Sequence, residues 1–225
     1  MTETNPVKTY RRIADVLRSA QRVPIEVENA PDKRKRLRTF SAQEVAGLLR
    51  VKPRDITAQA KILEERSGAA RNRLDFADIL RLRESFRDSS GDTRFLPRRD
   101  PDRGEDLAII VFSNFKGGSA KTTSSVHFAQ YMAREGYRVL LVDLDPQGNA
   151  STALGVDHTA GTPSVYDVLL GGMSLAEVAV QVEAAPLLRC VPATIDLAGA
   201  GIELAAQVAR YDRLRRALVS DTDQR

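Results

Sequence analysis

The stretch IIVFSNFKGGSAKTTSSVHFAQ, residues 109–130, decides how the second half of this chain folds. It begins at the end of an apolar, β-branched run, LAIIVF over 107–112, which predicts a buried parallel strand. Residues 113–119 are polar and glycine-bearing and read as a turn. From Ala120 onward the apolar positions switch to helical spacing, with Val126, Ala129, Met132 and Ala133 on one face, until Glu135-Gly136 stops the helix. RVLLVD over 138–143 is a second apolar strand and closes a predicted βαβ unit. Such a unit implies a parallel sheet whose ligands gather at the carboxyl ends of its strands.

The turn has the chemistry of an anion cradle. Gly117 and Gly118 let backbone N–H groups converge without Cβ obstruction, and the helix behind them adds its positive N-terminus. Lys121 supplies a point charge for the β- and γ-phosphates of a nucleotide, and Thr122 a hydroxyl for Mg²⁺. The general pattern GxxxxGK[ST] is not met: Ala120 stands where it asks for glycine, and its first glycine falls on Phe115. One lysine suffices for a phosphate, so Lys116, directly before the glycines, requires a reason of its own.

KGGxxKT over 116–122 resembles the deviant Walker A motif of the ParA/MinD-type ATPases, in which the additional lysine, here Lys116, reaches across a dimer to the other subunit's nucleotide. The resemblance implies that Lys116, Gly117, Gly118, Ser119, Ala120, Lys121, Thr122 and Thr123 hold ATP. VLLVDLDPQGNAS over 139–151 resembles the second signature of the same family. It implies Asp143 as a Mg²⁺ ligand beside Thr122, and Asp145 as the residue that positions the attacking water, with Lys116 and Asp145 as the catalytic pair. CVPATIDLAGAGIEL over 190–204 is similar to the strand and helix that precede the family's third motif. That motif, an apolar strand ending in Asp-x-Pro-Pro, does not follow before Arg225, so the chain reads as C-terminally truncated, with the first part of a parallel-sheet P-loop domain.

Composition narrows the partners. The chain has 225 residues, 42% of them hydrophobic, and no apolar run of membrane-spanning length, so a soluble cytoplasmic protein without a membrane partner is expected. Cys190 is the single cysteine, which excludes a disulfide framework, and its apolar neighbours suit a buried small side chain. The net charge of +4 is unevenly divided: 24 Lys and Arg against 17 Asp and Glu over 1–105 (+7), and 10 against 13 over 106–225 (−3). A basic front half points to an anionic partner, with nucleic acid first and a merely solvated surface as the bland reading. His127 and His158 have no neighbours at metal-ligand spacing and read as surface residues. Residues 161–178 predict a helix and a turn without chemistry.

In the front half, residues 39–68 read as two helices joined tightly. Ser41 and Glu44 form a capping box ahead of Val45, Leu48 and Leu49, and Pro53 suits the first position of the second helix. Ile56, Ala60 and Leu63 face inward on that helix, leaving Lys52, Arg54, Thr57, Gln59 and Lys61 as candidate DNA contacts. This is a helix-turn-helix pattern, with an ordinary charged hairpin as the alternative. A short wing strand and a further helix follow, with Phe76, Ile79, Leu80 and Phe86 apolar. LRTFSAQEVAGLLRV over 37–51 resembles the MerR-like winged domain of large ParA proteins, in particular the RepA partition proteins of repABC-type plasmids. Tyr10, Ile13, Val16 and Leu17 stripe an N-terminal helix suited to dimerisation or to core packing, and the basic run 32–38 suits a DNA backbone.

The expected organisation is thus α/β: an N-terminal helix and winged helix-turn-helix domain over 1–87, a linker over 88–106 rich in Gly, Pro and charge, and an incomplete ParA-type domain over 107–225. The family resemblance implies a DNA-partition ATPase that dimerises with Mg²⁺-ATP, binds operator and non-specific DNA at the nucleoid, and is stimulated by a ParB-type centromere-binding protein. A nucleotide-responsive transcriptional repressor with little turnover is the rival, and a MinD-like positioning ATPase the more distant one.

Overall fold

A computed structural model describes residues 38–67, 73–97, 107–159, 161–205 and 212–222, all within one unit, Arg36–Arg225. The expected N-terminal helix and residues 32–37 of the basic run lie outside the described residues.

Helix α1, Ala42–Leu49, starts where the sequence places its capping box. Ser41 Oγ accepts the Glu44 N–H at 3.3 Å, and the Glu44 carboxylate accepts the Ser41 N–H at 2.8 Å. Arg50 ends it in the left-handed region at φ 54°, an uncommon conformation for a non-glycine residue. Helix α2, Pro53–Ser67, follows at once, with proline at its first position. Helix α3, Phe76–Ser90, carries a second capping box, Asp75 with Asp78, and stops at Gly91 with φ 69°. A single antiparallel bridge, Phe40 to Leu74, ties the entrance of α1 to that of α3 through bonds of 2.7 and 2.8 Å.

Phe40, Val45, Leu49, Ile56, Leu74, Ile79 and Leu82 form the core of this helical module. Phe95, from a 3₁₀ turn over Thr93–Phe95, completes it by stacking on Phe86 at 5.3 Å. The front of the stretch expected to be linker therefore contributes buried side chains, Phe95 and Leu96.

The second half is mixed α/β. Helix α4, Lys121–Arg134, leads through the Glu135-Gly136 turn into β1, Val139–Val142. After α5, Asn149–Leu154, come a five-residue π-turn over Asp167–Gly171, α6, Leu175–Val178, and the two-residue strand β2, Val180–Gln181. Strand β3, Leu188–Val191, then precedes α7, Leu197–Ala205, and α8, Arg213–Thr222. The sheet order is β1–β3–β2. β1 and β3 run parallel, Val139 opposite Leu188 and Val142 opposite Val191, whereas β2 runs antiparallel to β3. Val126, Ala129 and Ala133 of α4 pack with Leu141, Ala150, Leu154, Leu188 and Cys190 on one face. Val165, Val168, Leu175, Val178, Val191 and Ala193 make a second cluster.

The expected strand over 107–112 does not form. Those residues adopt no regular structure, and Ile109, Ile110 and Val111 are 55%, 56% and 75% exposed. Apolar β-branched residues give a segment the means to be a strand, but a strand exists only where it is paired, and this run is paired with none of the described strands; β1 is hydrogen-bonded to β3 on one side and is an edge strand on the other. The run touches α4 through Phe112, whose ring lies 5.7 Å from that of Phe128. Of the expected βαβ unit, the helix and its returning strand are present. Among the described residues, no helix is long and apolar enough to cross a membrane.

Candidate nucleotide site

Helix α4 opens on an N-terminus prepared for an anion. Its N-cap is Ala120, held at φ 59° and ψ 21°, and an alanine has no side-chain oxygen with which to satisfy the first N–H groups. The first-turn donors of Lys121, Thr122 and Thr123, with the positive end of the helix dipole, are left facing the loop. Gly118 also takes a positive φ, 71°, and a Cβ placed on Gly117 or Gly118 would meet nothing within 4 Å. The two glycines therefore border open space. Ser119 Oγ is buried there without a hydrogen-bond partner among the described residues.

Both lysines are engaged by the loop. Lys121 Nζ donates to the Lys116 carbonyl at 3.3 Å, folding its ammonium back over the glycines, and the Lys116 N–H donates to Asn114 Oδ1 at 2.9 Å. The Lys116 side chain is exposed, beside a Phe115 that is wholly exposed. An open glycine cradle, an orphaned hydroxyl, an uncapped helix and a tethered ammonium are a donor set that fits a nucleotide's phosphates.

The acidic pair lies at the carboxyl end of β1. α4 runs away from the loop and β1 returns along it through a tight turn, so the start of α4 and the end of β1 share one end of the layer. Asp143 is buried, and its carboxylate is heavily used. Oδ2 accepts the Ser151 N–H at 3.0 Å and the Ser151 hydroxyl at 2.8 Å, while Oδ1 accepts the Asp145 N–H at 3.1 Å. A carboxylate has about four lone-pair sites, so Asp143 retains about one for an outside cation. Asp145 is half-buried, and its Oδ1 accepts the Gln147 N–H at 3.0 Å. Among the described residues no three His, Cys, Asp or Glu side chains gather at metal-binding distance. Thr122, Asp143 and phosphate oxygens are the sparse set that Mg²⁺, which retains several waters, normally uses.

Two residues that sequence reasoning passed over shape this turn. Ser151, in the first turn of α5, anchors Asp143 and also accepts the Ala193 N–H at 3.4 Å. His158 is a strut. Thr152 Oγ1 lies 2.6 Å from His158 Nε2 and 3.0 Å from the Gly148 carbonyl oxygen, which ties the imidazole to the turn. A Cβ on Gly148 would lie 3.1 Å from both His158 Cγ and the Ala193 carbonyl oxygen, and Gly148 sits at φ 61°. No spacing rule announces these partners, because Ser151 and His158 meet the turn only once α5 has folded over it. Below lies Cys190, whose thiol is pushed up to about 12 by burial first and by Asp143 second.

On the helical module, Lys52, just before α2, and Arg54, Thr57 and Lys61 on it are exposed, and Gln59 is half-buried. Thr57 Oγ1 donates to the Pro53 carbonyl at 3.1 Å. Gln59 Oε1 accepts the Ser85 hydroxyl of α3 at 2.9 Å, so this side chain is turned towards the module's interior. Arg54 lies 3.6 Å from Asp55.

Residues 107–224, just over half of the chain, match the family described as the AAA domain. The chain belongs to the ParA-type branch of that family. It is 44% identical over 112 residues to the chromosome partitioning protein ParA of Caulobacter vibrioides, covering 50% of this chain and 42% of that protein. It is also 44% identical over 110 residues to the sporulation initiation inhibitor protein Soj of Bacillus subtilis, covering 49% and 43%. A putative replication protein A of Sinorhizobium fredii is 36% identical over 178 residues, covering 74% of this chain and 43% of that one. This third similarity extends beyond the ParA-type family match into the helical module. The chain spans less than half the length of these relatives.

Proposed function

We propose that this chain is the nucleotide-holding part of a partition ATPase that uses Mg²⁺-ATP to control its assembly on DNA. The observation that carries the reading is the uncapped start of α4 at Ala120, facing the open cradle of Gly117 and Gly118. Backbone N–H groups of residues 117–123 and Lys121 Nζ would hold the phosphates, with Thr122 and the remaining lone pair of Asp143 serving Mg²⁺. The bound group supplies a transferable γ-phosphoryl and concentrated negative charge. What the chain adds is charge compensation by Lys121, a rigid loop fixed by the Asp143–Ser151 bonds, and Asp145 as the group that orients water. Lys116 would reach a second copy's nucleotide, a reading supported by its exposure beside an exposed Phe115. The α1–α2 pair is the DNA-reading hairpin. Lys52, Arg54 and Lys61 serve phosphates, and Thr57 lies on the same exposed face. A centromere-bound ParB-type partner would stimulate hydrolysis, and the hairpin would repress the chain's own operon.

The test separates the two lysines. Lys116→Ala should retain a fluorescent ATP analogue within about threefold of the wild-type affinity yet lose Mg²⁺-ATP-dependent dimerisation in light scattering. A Lys116→Ala protein that dimerises like the wild type makes Lys116 an ordinary loop residue.

A further inference from the structure

Arg83, in the middle of α3, is a charged side chain buried to 3% exposure, and the mechanism proposed above does not use it. Its Nε donates to the carbonyl of Arg134, the last residue of α4, at 3.0 Å, and its Nη1 donates to the Phe95 carbonyl at 3.1 Å. Nη2 lies 3.7 Å from the Glu135 carboxylate. One planar guanidinium thus joins three segments: α3, the turn that completes the helical module's core, and the C-terminus of the helix whose other end is the phosphate loop. A cation at a helix C-terminus is favoured by the dipole, and a planar guanidinium holds its donors at fixed, separate positions that suit two carbonyls at once, whereas an ammonium is a compact point charge on a flexible stem. Burial pushes the Arg83 guanidinium down, with Glu135 acting in the opposite direction.

Gly136 records the same joint independently. It sits at φ 98°, and a Cβ there would lie 2.7 Å from the Phe95 carbonyl oxygen, 3.2 Å from Pro97 Cδ and 3.3 Å from Arg83 Nη1. Only glycine lets the module approach the α4–β1 turn this closely. Phe76, Ile79 and Leu80 of α3 face Ala133, Pro186 and Leu187 across a small cavity that Arg83 and Arg134 also line.

We propose that Arg83 is a latch that fuses the helical module to the far end of α4, so that the two halves unfold as one unit and occupancy of the phosphate loop is felt in α3. α4 is a single uninterrupted helix of 14 residues between the loop and the latch, and a ligand that orders its first turn acts on the element whose last carbonyl Arg83 holds. The second half of this inference rests on the nucleotide reading above; the first half does not.

The full 225-residue chain serves for both tests. Calorimetry should give one unfolding transition for the wild type and two for Arg83→Lys, which keeps the charge but loses the planar fork whose Nε and Nη1 hold the two carbonyls. Gly136→Ala, which wedges the joint open from the other side, should give the same split if Arg83→Lys fails to fold. A wild type that melts in two steps, or variants that melt as one unit like the wild type, overturns the latch. Hydrogen exchange with a non-hydrolysable Mg²⁺-ATP analogue reads the coupling. Slowing should reach residues 76–90 in the wild type and stop within α4 in Arg83→Lys. Equal slowing of α3 in both proteins overturns the coupling. If the analogue fails to bind the wild type in a separate fluorescence titration, the nucleotide reading fails, while the calorimetric result still decides the latch.

Discussion

Ala120 holds a conformation that suits glycine, at one of the two positions where the general phosphate-loop pattern asks for glycine. A left-handed residue with a Cβ costs roughly 1–2 kcal/mol, and glycine returns about half of that through its larger unfolded-state freedom. Ala120→Gly should therefore raise unfolding free energy by about 0.5–1 kcal/mol in urea titrations. A loss of stability would mean that the loop relaxes away from this geometry in solution. Cys190 gives a second test at this scale. The folded thiol ionises only near 12, against 9.0 in the ordinary case, so folding favours the protonated form. Its contribution to stability is complete below pH 9 and is lost as pH rises from there towards 12. Unfolding free energies measured between pH 8 and pH 11 should fall more steeply for the wild type than for Cys190→Ala. Parallel profiles would contradict the buried, Asp143-facing environment.

Local signals located the helices well where they involve neighbours in sequence. Ser41 with Glu44, Pro53 and Glu135-Gly136 are signals closed within a few residues, and α1, α2 and α4 begin or end at them. Removing one such closure has a calculable effect: Ser41→Ala should destabilise the helical module by about 1 kcal/mol, read as a lowered urea midpoint with unchanged slope. No change would mean that Arg38 and Arg73, which also approach Glu44, hold the helix start without the cap. The run 107–112 shows the limit of such reading. Its composition specifies a strand, but pairing is a property of the fold and not of the run, and it is absent here although β1 is an edge strand. The turn before α4 was legible in the sequence, since Gly117 and Gly118 act through backbone freedom and α4 starts at Lys121, within the stretch read as turn and helix. The supports of the acidic turn were not, because Ser151 and His158 become relevant only by folding over it. Gln59 is a similar case: its spacing placed it on an outer face, and α3 turned it inward through Ser85.

At the scale of the whole molecule, the loop, the acidic turn and the helical module converge on α4. Its N-terminus borders the glycine cradle, its inner face packs on the strand that leads to Asp143, and its last carbonyl is held by Arg83. The reading that joins these parts is that the cradle holds nucleotide phosphates, and Lys121 is the residue on which that most directly depends. Titrating a fluorescent ATP analogue in Mg²⁺ into the 225-residue chain and its Lys121→Ala variant, with circular dichroism to confirm that both are folded, tests it. The account predicts saturable binding to the wild type and loss of at least a hundredfold in affinity for the variant, since the phosphate charge would then face the loop without its ammonium. Affinities within twofold of each other would contradict it.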